Sequence, residues 1–438
     1  MMRERTLPGL LLALLFGSAQ WAVANDNEAV HKGVATCASS VCHGSARDKP
    51  ESPLLRNEYL TWERHDAHSE AYQTLKSDQS RRIARQLDLN QPAHEADVCL
   101  DCHTDHVPPE QRGKRFLLSD GVGCEACHGG SENWLESHSG PDVDHAENVE
   151  QGLVPLEKAE VRARVCQDCH VGDTERFAGH DLLGAGHPRL QFELMSFSVL
   201  QPRHYRADED YYERKPEADP PARIWATGQI EAARRMLAGI QSDHFMKSPL
   251  WPELAYFDCH ACHTPMSVEQ PEKRYTASEL PPGSPRLNDS ALGMALMLER
   301  IIPGGTPEAM LSNIRRLHKA SRAGPNQVRS AAGELASKLD ALAARLERTR
   351  LTPGLQRQLL ETLTRAGAEG RFRSYLSAEQ AAMAAQVLLK HGRTGVQGPV
   401  SERLNPVFDA LDNPDRPDDH AFQRAMAELR TFVNKQTD

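Results

Sequence analysis

Aromatic side chains are scarce: phenylalanine, tryptophan and tyrosine make up 5% of the 438 residues, which excludes a core filled mainly by stacked rings. After Phe16 no uninterrupted apolar run approaches the roughly 20 residues that a bilayer-spanning helix needs, so no membrane anchor is expected there. Basic side chains are in the minority, 51 Lys and Arg against 61 Asp and Glu for a net charge of -10. That balance argues against a nucleic-acid partner and favours docking on a basic face. Cysteine is absent beyond Cys262, so whatever chemistry the thiols carry is confined to the earlier part of the chain.

What is present is a repeated device. All ten cysteines fall in five units, each followed at once by histidine: Cys37/Cys42/His43, Cys99/Cys102/His103, Cys124/Cys127/His128, Cys166/Cys169/His170 and Cys259/Cys262/His263. Four read Cys-x-x-Cys-His, and the first has two extra residues between its cysteines. Such a unit supplies two thiols for the vinyl groups of a haem and an imidazole for its iron. Paired Cys-x-x-Cys units also build zinc ribbons. A ribbon has no use for a histidine after every second cysteine, however, and only 20 residues of the chain are histidine. Five covalent c-type haems are therefore expected, or four if Cys37 and Cys42 hold none.

The first residues give an address. Arg3 and Arg5, an apolar run from Leu7 to Phe16, and Ala22-Val-Ala24 before Asn25 read as a secretory signal over residues 1–24. Its removal leaves 49 basic and 60 acidic residues and a charge of -11. Covalent haem attachment in bacteria takes place outside the cytoplasm, so the expected location is the periplasm and the mature protein is expected to be soluble.

Helical periodicity is visible at Tyr59, Trp62, His65, Ser69, Tyr72 and Leu75, then at 80–87 and 224–240. Between His103 and Val161 the chain is polar and rich in glycine, as expected where porphyrins fill the core. The Pro-rich stretch Gln270 to Asp289 reads as a boundary, giving a haem region over 25–275 and a helical region over 276–438. In the latter, Thr306-Pro307 and Thr352-Pro353 look like helix starts, and Ser377-Ala-Glu-Gln380 resembles a capping box. Helices are expected near 290–301, 307–322, 326–348, 353–366, 378–390 and 418–434. The fold class is thus mainly α with much irregular loop.

Several of these stretches together carry a resemblance: Cys37-x4-Cys-His-Gly, Trp62 followed by His68-Ser-Glu-Ala-Tyr, Gly121-Val-Gly-Cys-Glu-Ala-Cys-His-Gly with the later His138, and His180-Asp-Leu-Leu-Gly-Ala-Gly-His187-Pro-Arg-Leu. Over about residues 30–270 the chain resembles the multihaem c-type cytochromes related to the tetrahaem electron acceptor of hydroxylamine oxidoreductase. The resemblance implies a multihaem cytochrome c fold around closely packed haems, mostly with two histidine ligands each, that moves electrons between redox partner proteins. The fifth motif and the C-terminal helices go beyond the tetrahaem pattern.

The proximal iron ligands are His43, His103, His128, His170 and His263. Fifteen histidines remain outside the motifs, twelve of them before the boundary. By resemblance His68, His138, His180 and His187 stand as distal ligands, with His94 next in rank. His31, His65, His106, His145, His204, His244 and His260 are read as bystanders, His318, His391 and His420 as ordinary histidines, and Met195, Met236, Met246 and Met266 as packing residues. No Cys-x-x-Cys-Lys motif is present, so a lysine-ligated catalytic haem is absent. There are histidines enough to close every iron, and the expected function is a periplasmic electron carrier with no catalytic residue. The alternative is a multihaem oxidoreductase acting on a small nitrogen or sulfur compound at an open haem.

Overall fold

The computed structural model describes residues 29–47, 55–140, 144–205, 218–247, 253–263, 280, 284–372, 374–414 and 417–436. The signal region and most of the Pro-rich stretch lie outside them, as do Met266 and the side chain of His244. Helices dominate, and among the described residues the only strand-like pairings are two isolated bridges, His31 with Arg112 and Phe257 with Leu287.

Up to Lys158 the helices are short and separated by loops: Val34–Cys37, Glu58–His65, Ala71–Thr74, Asp78–Gln86, Asp97–His103, Cys124–His128 and His145–Glu150. Few apolar side chains here reach one another. The local cluster is Leu75, Ala84, Ala93 and Leu100. The periodic stretch at 59–75 is broken because Asp66 takes an extended backbone after Glu58–His65, and its carboxylate accepts the N–H of His68 at 3.0 Å to start a new turn.

From Ala159 the character changes. We name the longer helices α1 (Ala159–His170), α2 (Leu194–Leu200), α3 (Pro221–Gln241), α4 (Ser290–Ile301), α5 (Pro307–Ala320), α6 (Pro325–Arg348), α7 (Pro353–Ala368), α8 (Tyr375–Lys390), α9 (Val400–Asp409) and α10 (Asp419–Asn434). Their starts are local in origin. Proline stands at the first turn of α3, α5, α6 and α7, where its missing N–H costs nothing. Helix α8 begins three residues before its expected start, because the Ser374 hydroxyl accepts the N–H of Ser377 at 3.1 Å and so caps the helix ahead of the Ser377 box. Helix α9 was not expected; Pro406 inside it masks the pattern.

One hydrophobic cluster runs from Ala159 to Val433. Helix α3 is its axis, burying Ile224, Trp225, Ile230, Ala233, Leu237 and Ile240 against α1, α2, α4 and α6. The packing therefore does not follow the expected boundary at 275/276: a helix before it shares its core with helices after it. Gly239 of α3 is required here, because a Cβ would lie 2.0 Å from the Tyr256 hydroxyl. The Tyr256 ring also stacks on Phe177 at 4.6 Å, which ties the segment leading to the fifth cysteine pair to the loop after α1.

Candidate functional site

Each cysteine pair sits on or beside a helical turn. In Asp97–His103, Cys124–His128 and α1 the two cysteines are three residues apart and the histidine follows, so thiols and imidazole share one side of the turn. Cys259–Cys262 does the same, with His263 as its cap residue. In the first unit the helix ends at Cys37, and the two extra residues form a turn in which Cys42 N–H bonds the Ser39 carbonyl and His43 N–H returns to the Cys37 carbonyl. All ten cysteines are free of disulfides.

Units distant in sequence adjoin in space. The thiol of Cys37 lies beside that of Cys124, and the thiol of Cys102 beside that of Cys169, whose Sγ reaches the Asp101 carbonyl at 3.8 Å. Burial pushes Cys127 up to about 12 and Cys166 up to about 11, so these thiols stay protonated at neutral pH. A cavity of about 180 Å³ opens between His170, Phe192, Arg189, Glu379 and Cys259, beside the fourth and fifth units.

Opposite every motif histidine stands a second histidine. Ring centres lie 6.2 Å apart for His43 and His138, 6.4 Å for His103 and His187, 6.2 Å for His128 and His204, 5.9 Å for His170 and His68, and 6.4 Å for His263 and His180. Two imidazoles bound from opposite sides to one metal atom, each nitrogen about 2 Å from it, have ring centres about 6 Å apart. The five spacings fit an iron between each pair.

Second partners orient several of these rings. Nδ1 of His103 bonds the Ala71 carbonyl at 2.9 Å, that of His138 the Leu135 carbonyl at 2.6 Å, and that of His187 the Pro188 carbonyl at 2.8 Å. A carbonyl oxygen only accepts, so Nδ1 carries the proton and Nε2 keeps its lone pair for a metal. His43 and His68 set Nδ1 against Glu58 at 3.1 Å and Asp66 at 2.8 Å. Burial works to push the Asp66 carboxyl up, but hydrogen bonds from the His68 ring, its backbone and Gln201 outweigh it and hold the group at about 2. Burial, with His68 nearby, lowers His170 to about 4 and keeps that ring neutral, the form that ligates.

Of the five expected distal ligands, His68, His138, His180 and His187 each face a motif histidine. His94 does not. Its ring lies edge-on to Tyr72 at 6.2 Å, with Nε2 3.7 Å from Glu95, and His204, read as a bystander, takes the place opposite His128. No motif surrounds His204. It follows α2 and Pro202, and only the need for a fifth counterpart would have pointed to it. Of the other bystanders, His106 bonds Asp101, His145 bonds Glu157, and His260 lies against the Tyr375 ring. Met195 is buried in the large cluster, and Met236 and Met246 pack on it.

Among the described residues no helix is long and apolar enough to cross a membrane. Residues 36–129, which include the first three cysteine pairs, match the family described as cytochrome c554 and c-prime. The match supports a multihaem c-type cytochrome that works in electron transfer and carries covalently bound haem c. No curated protein and no solved structure matches the chain.

Proposed function

We propose that the chain is an exported, periplasmic electron carrier that binds five haem c groups, each held by one cysteine pair and by two histidines. The observation that carries this reading is the set of five facing rings: His43 with His138, His103 with His187, His128 with His204, His170 with His68 and His263 with His180. Haem supplies a one-electron iron couple when bound; the chain supplies everything else. The ten cysteines would hold the haems covalently, and the carbonyls of Ala71, Leu135 and Pro188, by fixing Nδ1 as the protonated nitrogen, would leave Nε2 free to bind iron. A histidine on each side leaves no coordination place for a substrate, which favours a carrier over an enzyme. The contacts of Cys37 with Cys124 and of Cys102 with Cys169 set attachment sites edge to edge, the close spacing that a relay needs.

The donor and acceptor are redox proteins, and an acidic chain suits partners with basic docking faces and association that slows as salt rises. Intact-mass measurement of the mature protein tests the count, with five haems expected above the apoprotein mass. An electron paramagnetic resonance spectrum of the oxidised protein tests the ligation, with every iron expected to be low-spin. Four haems would remove Cys37 and Cys42 as a site. A high-spin signal with sustained turnover of hydroxylamine or nitrite would replace the carrier by an oxidoreductase.

A further inference from the structure

Away from the facing rings, His31, Asp105 and Glu125 bring one ligand atom each to within 4.8 Å of one another, and all three are buried. The cluster joins three parts of the chain: the segment before the first unit, the turn after the second unit, and the interior of the third. We propose that these residues bind a divalent ion of the zinc class.

Charge is the first argument. His31 is 6%, Asp105 9% and Glu125 4% exposed, and among the described residues no lysine or arginine forms an ion pair with either carboxylate. The nearest ammonium group in sequence, on Lys32, turns outward to Glu132 at 3.3 Å. Two buried carboxylates and one imidazole carry net negative charge even with the ring protonated, whereas a divalent ion and a neutral ring balance them.

Geometry is the second. Nδ1 of His31 and Oδ2 of Asp105 are in hydrogen-bond contact at 2.8 Å, and opening that contact to about 3.3 Å, the span of two ligands about 2 Å from one tetrahedral ion, would let both bind it. Glu125 Oε1 accepts the N–H groups of Lys32 and Ser131, both at 2.8 Å, while Oε2 accepts that of Gly33 alone at 2.7 Å. Oε2 thus keeps a lone pair for a metal. Ser131, whose N–H bonds Glu125, also buries its hydroxyl with no hydrogen-bond partner among the described residues, a polar group that an ion or its bound water would satisfy. One nitrogen with carboxylate oxygens in a small buried site suits zinc better than calcium, which takes six or more oxygens.

The backbone is already built to hold the site. His31 N–H bonds the Gln111 carbonyl and Gly113 N–H bonds the His31 carbonyl, both at 2.8 Å, and Asp105 N–H bonds the Gly121 carbonyl at 2.9 Å. A bound ion would fasten the second and third attachment units to the N-terminal segment.

The test uses the haem-loaded full chain, treated with a chelator and then titrated with zinc sulfate. One zinc per chain is expected, with anomalous scattering at the zinc edge placing it among His31, Asp105 and Glu125. His31→Gln and Asp105→Asn each should weaken binding at least tenfold, while Glu132→Gln, outside the cluster, leaves it unchanged. Failure of the wild-type chain to bind zinc, or a zinc peak elsewhere with none at these residues, overturns the proposal whether or not the variants fold. Haem is counted separately by its pyridine spectrum, so a wrong haem count would strike the electron-carrier reading and leave this one standing.

Discussion

At the scale of single residues, a histidine's fate is set by what its second nitrogen meets. His187 gives Nδ1 to the Pro188 carbonyl and faces His103, whereas His94 leans on Tyr72 and Glu95. Sequence spacing cannot see that difference: His94 lies near the second motif in sequence, and the place opposite His128 is reached only when α2 delivers His204 from far along the chain. His204→Ala should therefore keep all haems attached and convert one low-spin iron to high-spin, while His94→Ala should leave the spectrum unchanged. Electron paramagnetic resonance of both variants decides it. Ring planes give a second expectation. His43/His138 and His180/His263 are near parallel at 9° and 29°, and the other three pairs are crossed at 83° to 89°. Parallel imidazoles split the iron orbitals that they overlap, and crossed ones leave them nearly degenerate. The oxidised protein should show two rhombic signals and three with a larger low-field g value; five signals of one type would show that the rings are set differently.

At the scale of elements, α8 is the clamp between the helical region and the attachment loops. Glu379 pairs with Arg189 at 3.2 Å and also takes a hydrogen bond from Gln191, both on the loop after His187. One turn earlier, the Tyr375 ring lies 5.1 Å from His260, inside the fifth attachment unit. Glu379→Ala leaves Arg189 partly buried and unpaired, which should cost about 1–3 kcal/mol in chemical unfolding, less than a fully buried pair because Arg189 reaches solvent. A second cluster, Asp289 with Arg286 and with His318 at 3.0 Å, locks the start of α4 to α5. Burial raises the Asp289 carboxyl, but Arg286 and His318 outweigh it and hold the group well below the ordinary carboxylate range. A depressed folded value means stability that is present above the unfolded pKa of about 4 and is lost as pH falls below it. Acid titration of unfolding should steepen below about pH 4, and Asp289→Asn should be less stable at neutral pH and flatter in that acid window. These helices were legible because capping and periodicity are local; their partners were not, since Arg189 and Glu379 are linked by folding alone.

At the scale of the whole molecule, the Pro-rich stretch and the absence of cysteine after residue 262 read as a boundary between a haem region and a helical region, and the hydrophobic cluster runs across it. The five large apolar side chains that α3 buries, Ile224, Trp225, Ile230, Leu237 and Ile240, pack within the cluster that continues into the helices after residue 290. Helices α1 and α2 would still cover part of them, but at up to about 2 kcal/mol for each fully uncovered side chain the loss approaches the whole stability of a domain. The earlier part has little with which to compensate, because its own side-chain cluster is Leu75, Ala84, Ala93 and Leu100. It also draws His170, His180, His187 and His204 from beyond Ala159, so loss of order around α3 reaches the facing rings themselves. A chain ended at residue 283 should accumulate as insoluble or degraded protein with few attached haems, checked by haem stain and soluble yield against the full chain. Recovery of a soluble truncated protein carrying the full haem complement, with unchanged oxidised and reduced spectra, would show that α4 to α10 fold apart from the attachment region. The shared core makes the first outcome the expected one: the haem-bearing part depends on the helical part for the surface on which α3 folds.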